Sequence, residues 1–451
     1  MANRMNSVFL VSLGCSKNLV DSEVMLGSIQ EHDYIIVDRP EDAQIIIVNT
    51  CGFIRDAQEE SVNTIIEMAD YKNPENGCCK KLVVAGCLSQ RYVLELMKEM
   101  PEVDLFVGTG EYHRIVELME TDDEKNKNHV SIPRFIHSEK DPRVITTPYY
   151  SSWLKIGEGC DRHCSFCIIP KLRGRYRSRT VDSLLMEATK LVKGGVKELN
   201  LISQDLSVYG SDLGDNDSLI KLLSGLEKID GLEWIRLMYF YPDELNEDLI
   251  AKMSRSSKIC HYLDMPIQHF SDRILKRMNR RITGGEISEK IKMMREMIPE
   301  VIIRTSVIVG FPGEAEEDFN ILLDGIKKAR FDNLGVFRYS DEEGTAAEKM
   351  SDKVDEGIIE QRYRKIHEAQ KTIVEEINRD MIGKNIKVII EGLHEETELL
   401  VRGRHKGQAP EIDGEVIIND LNGKQVKKGD LVSVQVSDYH EYDLVGHITD
   451  T

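Results

Sequence analysis

Apolar runs of strand length alternate along most of the chain with stretches whose apolar positions recur every three to four residues. In the first third, VFLVSLG, AQIIIVNT and KLVVAG each have the length and β-branched content of a buried parallel strand. Each is followed by a polar turn and then by helical periodicity, as in NLVDSEVMLGSIQEH and DAQEESVNTIIEMADY. The pattern predicts an N-terminal parallel α/β domain over residues 1–140. The stretch TDDEKNKNHVSIPRFIHSEKDPRVITTPYY is polar and punctuated by proline, and reads as a linker or boundary. Over residues 145–375 the alternation resumes. Strands are expected at KELNLISQ, WIRLMYF, HYLDMPIQ, RTSVIVGF and NLGVFRY, with helices such as DSLLMEATKLVKGG, DSLIKLLSGLEKI and EDFNILLDGIKKA between them. A full or partial (β/α) barrel fits this run, and ligands of such folds bind at the carboxyl ends of the strands. DEGIIEQRYRKIHEAQKTIVEEINRDMIG reads as one long helix capped by Gly383. Over residues 380–451 the short alternating segments NIKVIIEGL, LLVRGR, GEVIIND and LVSVQVSDY, broken by Gly and Asp, predict a small antiparallel β-barrel.

Composition narrows the partners. The 451 residues carry a net charge of -19, which weighs against phosphate backbones and favours a basic protein. The last segment, from residue 383, is itself acidic, with eight Lys/Arg against thirteen Asp/Glu. It is expected to dock a basic protein, Glu411, Asp413 and Glu415 being the acidic side chains singled out. No apolar run approaches the ~20 residues of a membrane span, and the N-terminus lacks a secretory cleavage pattern. Nine cysteines in such a chain point to a reducing, cytoplasmic setting and to metal ligation.

The chemistry concentrates in two cysteine trios. Cys160, Cys164 and Cys167 share one short loop at C-x3-C-x2-C spacing. Three thiolates can hold three irons of a [4Fe–4S] cubane and leave the fourth iron open to a small molecule. Zinc is the other reading, but it usually takes four ligands in two spaced pairs, and no second pair follows. Cys15, Cys51 and Cys87 are evenly spaced and each closes an apolar run, SLGC, VNTC and VAGC. In a parallel sheet they would meet at its C-terminal edge, where ligands converge, and could hold a second cluster; the alternative is a repeated unit with small residues ending its strands. Cys78 and Cys79 read as incidental and exposed, and Cys260 as core. RGRYRSR (173–179) is the main basic cluster, open to a target carboxylate, a ligand carboxylate or solvent. His261 and His269 are as readily packed as functional.

Two such trios followed by a small β domain resemble the methylthiotransferase family of radical S-adenosylmethionine (SAM) enzymes over essentially the whole chain. The resemblance is carried by LGCSKNLVDSE (13–23), CGFIRDAQEES (51–61), EGCDRHCSFCIIPKLRGRYRSR (158–179), SQDLSVYG (203–210), LDMPIQHFSDRILKRMNR (263–280), TSVIVGFPGE (305–314) and RYSDEEGTAA (338–347). Ser16 and Ala315 stand where the family commonly has proline and threonine; neither is a presumed ligand. The resemblance implies an N-terminal methylthiotransferase domain, a radical SAM barrel and a C-terminal TRAM domain. It implies two [4Fe–4S] clusters, on Cys160/Cys164/Cys167 and on Cys15/Cys51/Cys87, with SAM on the open iron of the first. It places SAM contacts at strand ends, here Gln204, Asp205, Gly310, Pro312 and Gly313, where ordinary turn chemistry is the competing account. The wording is closest to the branch that adds a methylthio group to the β-carbon of an aspartate in ribosomal protein S12, free or in the small subunit. That branch draws on a low-potential donor such as flavodoxin or ferredoxin. A tRNA adenosine target would use the same chemistry but suits the acidic surface poorly. An iron–sulfur electron carrier would not need the barrel.

Overall fold

The computed structural model describes residues 6–121, 126–215 and 218–449. Residues 122–125 of the expected linker and Asp217 at the start of an expected helix lie outside them. The N-terminal sheet has strands β1 (Ser7–Ser12), β2 (Ile35–Ile36), β3 (Ile45–Thr50), β4 (Lys81–Gly86), β5 (Leu105–Val107) and β6 (Asn128–His129) in the order β2-β1-β3-β4-β5-β6, and every pairing is parallel. All six residues of β3 are buried, which is why it reads as an unbroken apolar run: helices cover both faces of a parallel sheet.

The central sheet adds β7 (Ser151–Lys155), a small pair β8 (Gly157–Glu158) and β9 (Arg177–Ser178), then β10 (Glu198–Ile202), β11 (Trp234–Leu237), β12 (Ile259–Asp264), β13 (Ile302–Val309) and β14 (Asn333–Arg338). Its order is β14-β13-β12-β11-β10-β7, all parallel and sequential. It is thus a partial (β/α) barrel of six strands. The C-terminal strands β15 (Asn385–His394), β16 (Thr397–His405), β17 (Val416–Asp420), β18 (Leu431–His440) and β19 (Asp443–Ile448) close into a barrel. It departs from the expected antiparallel form at one place: β17 and β19 pair in parallel, because the chain crosses through β18 between them.

Other expectations needed correction. The long helix spans Glu356–Arg379 and is capped by Asp380; Gly383, at φ 85°, ends the turn after it. The presumed linker is a packed strap. Its Arg143 pairs with Glu23 and Glu187, each at 2.6 Å, and its Pro142 lies so close to Gly27 that a Cβ there would meet it at 2.4 Å. Cys79 is buried, while Cys78 is exposed; Cys260 is core as expected.

The helix α1 (Ser16–Glu31) buries polar residues as well as apolar ones: Lys17, Asn18, Asp21 and Glu23 are all buried. This polar face meets the central domain: Asp21 pairs with Lys155 and Arg173, and Glu23 with Arg143. At the opposite end, the C-terminal barrel plugs the N-terminal edge of the central sheet. Glu198 at the start of β10 pairs with Arg236 at 2.9 Å and with Arg404 of β16 at 2.7 Å. Asp413 is equally internal, accepting from Tyr262 Oη at 2.8 Å and pairing with Arg304 at 3.4 Å. It is therefore part of the domain joint and not of a free acidic surface.

Burial pushes the Glu198 carboxyl up, but Arg404 and Arg236 outweigh it and hold it down at about 2. Its folded value lies below the ordinary ~4.3 of glutamate, so its stabilisation is complete above that pH and is lost as pH falls through about 2. Glu198→Ala should cost about 3–5 kcal/mol at neutral pH by leaving two buried cations short of a partner. In denaturant titrations the deficit relative to the native chain should shrink as the pH is lowered below ~4.

Candidate active site

The strands β1, β3 and β4 are neighbours, and the register pairs Ser12 with Asn49 and Thr50 with Gly86. Cys15, Cys51 and Cys87 leave the C-terminal ends of these three strands side by side. The backbone between them is crowded. A Cβ on Gly14 would sit 2.7 Å from Cys51 Cβ, and one on Gly52 would sit 2.9 Å from the Cys87 carbonyl. Gly86 turns at φ 94° to start the helix Cys87–Glu99 at the cysteine itself. Cys15 is exposed, Cys51 half-buried and Cys87 buried. The thiols are close enough to repel one another as anions. Burial pushes Cys51 up and Cys87 up to about 12, with the other two thiols adding to each rise at Cys87 and Cys15 adding at Cys51.

The second trio lies on the loop after β8. Burial pushes Cys160 up to about 12 and Cys167 higher still, and Cys164 adds to both. The Arg162 amide points at Cys160 Sγ from 3.4 Å. Tyr241, just past β11, brings its hydroxyl to 3.4 Å from Cys164 Sγ. Its ring is held between two guanidiniums, Arg280 at 3.6 Å and Arg162 at 4.1 Å from the centroid. Arg162 also pairs with Asp205 at 2.8 Å, and with Asp243 and Glu244 at 2.9 Å each. Arg162, Asp205, Tyr241 and Glu244 border a cavity of about 370 Å³ that Asp161 and Asp212 also line. Among the described residues, no three His, Cys, Asp or Glu side chains stand as the ligands of one metal ion do. The corners of a cubane are set wider, and three thiols to a site is the donor set such a cluster takes. Buried thiols are made anionic by the charge of the metal they bind, so both trios fit a cluster.

The segments bearing the two trios pack together: Cys87 lies on Ile168, next to Cys167, and on Leu172 of the helix that follows. Nearby runs a buried polar chain in which Lys155 bonds Asp21 and, at 2.8 Å, Glu158, while Gln204 donates to Glu158.

Comparisons with known proteins complete the picture. Residues 7–108 match the Uncharacterized protein family UPF0004, 154–325 the Radical SAM superfamily and 382–449 the TRAM domain. The ribosomal protein uS12 methylthiotransferase RimO of Geobacter sulfurreducens is 49% identical over 99% of this chain and 100% of its own. That of Pelobacter propionicus is 49% identical over 98% and 97%. The chain belongs to the RimO methylthiotransferase family. Its fold is also similar to the radical SAM methyltransferase TsrM of Kitasatospora setae, with a TM-score of 0.57 at 12% identity, covering 83% of this chain and 90% of that one. Like other members of its superfamily, this RimO-family chain is an enzyme of radical SAM type, using SAM and a [4Fe–4S] cluster.

The residues expected to hold SAM are dispersed. Asp205 lines the cavity beside the cysteine loop. Gln204 is turned to Glu158, and its Oε1 is buried without a partner. Gly310, Pro312 and Gly313 follow β13, where a Cβ on Gly310 would meet Ile359 at 2.3 Å and Arg277 donates to the Pro312 carbonyl at 3.0 Å. This turn reaches the cysteine loop through Phe311, in the apolar cluster against which Phe166 packs. Of the basic run 173–179, Arg173 and Arg179 are buried in ion pairs and Arg175 is exposed. His269 accepts from the Ser271 amide at 2.9 Å, and burial pushes it down to about 3; His261 pairs with Glu300. Tyr241, Arg162 and Arg280 escaped the sequence reading, because MYFYP looks like the tail of a strand and only the fold brings the arginines to its ring.

Arg162→Met should leave Asp205 buried without its cation and lower stability by about 3–5 kcal/mol. Differential scanning calorimetry of the metal-free chain checks this, and a change under about 1 kcal/mol, the worth of a surface pair, would contradict the assigned role.

Proposed function

We propose that this enzyme adds a methylthio group to the β-carbon of an aspartate in ribosomal protein uS12. The observation that carries the reading is the packing of Cys87, from one cysteine trio, on Ile168 and Leu172, which come after the other, in a chain half identical to proteins named as uS12 methylthiotransferases. Cys160, Cys164 and Cys167 would hold the [4Fe–4S] cluster that serves SAM, and Cys15, Cys51 and Cys87 a second one. When bound, these groups supply the radical and the sulfur that an unactivated C–H bond requires. Asp205 and Gln204 on one strand end, with Gly310, Pro312 and Gly313 on another, would seat SAM. Arg162 holds Asp205 in place, and Tyr241 and Arg280 orient Cys164. The domains divide at 1–140, 145–375 and 380–451.

A protein target is favoured over tRNA by the cavity next to the cysteine loop, where Asp161, Asp205, Asp212 and Glu244 outnumber Arg162 and Arg281. Such a mouth repels phosphate and orients a basic segment. The acidic C-terminal barrel adds to this, through its exposed residues and not through Asp413. One-electron reduction calls for a small low-potential donor such as flavodoxin or ferredoxin. No helix among the described residues is long and apolar enough to cross a membrane.

Anaerobic turnover with SAM, reductant and sulfide, offered uS12 and unmodified tRNA together, should give methylthio-aspartate on uS12 and nothing on tRNA by mass spectrometry; modified adenosine alone would sink the target assignment. Charge reversal at the exposed Glu396, Glu398 and Glu411 should slow association with uS12, most at low salt. Stopped-flow rates unchanged at low ionic strength would remove the C-terminal barrel from recognition.

A further inference from the structure

Arg173 belongs to the central sheet's domain, at the end of the short helix Ile169–Arg173 that follows Cys167. Its side chain is nevertheless buried against the N-terminal domain. It donates to Asp21 and, at 3.1 Å, to Asn18 Oδ1, both on α1, and lies 3.5 Å from Glu158. The residue before it, Leu172, packs on Cys87, and Asn18, which Arg173 holds, donates to the carbonyls of Leu13, Asn49 and Thr50, beside Cys15 and Cys51. From there the charge of Arg173 favours the anionic form of all three thiols. The helix that carries it is fixed to the spot by Ile168 and Leu172 on Cys87 and by Thr109 Oγ1, which donates to the Leu172 carbonyl at 2.5 Å.

Three thiolates and their irons bring net negative charge into a buried place, and one-electron reduction adds more. A cation beside a ligand sulfur makes reduction easier. We propose that Arg173 is the positioning residue of the Cys15/Cys51/Cys87 site, offsetting the charge of the cluster there and raising its reduction potential. This rests on reading that trio as a cluster site. The site is then electrically complete only when the domain bearing the other trio is docked.

The test uses the full chain carrying C160A, C164A and C167A, in which only the N-terminal trio can take a cluster. It is reconstituted anaerobically with iron and sulfide, and its iron content and EPR-monitored potential are measured. R173Q should lower the potential and reduce the iron held, and R173K should restore most of both. D21N removes a carboxylate that competes for the same guanidinium and should shift the potential upward; it carries the test with R173K if R173Q fails to fold. Equal potentials and equal iron in all of these variants would overturn the role of Arg173 while leaving the site intact. A parent chain that binds no iron at all would overturn the site, and the inference with it.

Discussion

Two buried carboxylates, Asp21 and Glu158, and two buried cations, Lys155 and Arg173, form the interaction on which the rest of the molecule depends. Each is expensive to bury alone, and removing any one strands the others. Asp21 comes from the N-terminal domain and the other three from the central one, so the charges are matched only when the two domains sit in a single relative position. That position is the one in which Cys87 touches the segment after Cys167. Electrostatic matching between the two domains thus assembles the active site.

The cysteines exploit a property of parallel sheets twice. In both domains the cysteines lie past the carboxyl ends of strands, where ligands gather: on three neighbouring strands in the N-terminal domain, and on one loop after β7 and the short β8 in the central one. The surroundings then differ. The loop of Cys160, Cys164 and Cys167 is ringed by Tyr241, Arg162 and Arg280 from its own domain, whereas the helix that follows Cys15 takes a cation, Arg173, from across the joint.

Much of this was legible in the sequence, and the illegible part has a common cause. The buried strands β1, β3 and β4 announce themselves as apolar runs, and the even spacing of Cys15, Cys51 and Cys87 places them at matching strand ends. The five later barrel strands were likewise visible. What a linear pattern cannot convey is which polar residues are buried against which others. Asp21 and Glu23 look like the wet face of a helix, residues around Pro142 look like a tether, and Asp413 looks like surface charge. All three meet their partners across domain joints, far away in sequence. The same holds for Tyr241, whose two arginine neighbours come from the loop before it and the helix turn after it.

The crowding of Gly14 on Cys51 and of Gly52 on Cys87 bears on how the protein comes into being. Small metal domains whose ligands hang on loose loops collapse only around their ion. Here the ligand loops are set by sheet register and backbone contact, so the spacing of the three cysteines is a property of the sheet. A side chain larger than hydrogen at Gly14 or Gly52 would force those loops apart while leaving every ligand in the sequence unchanged.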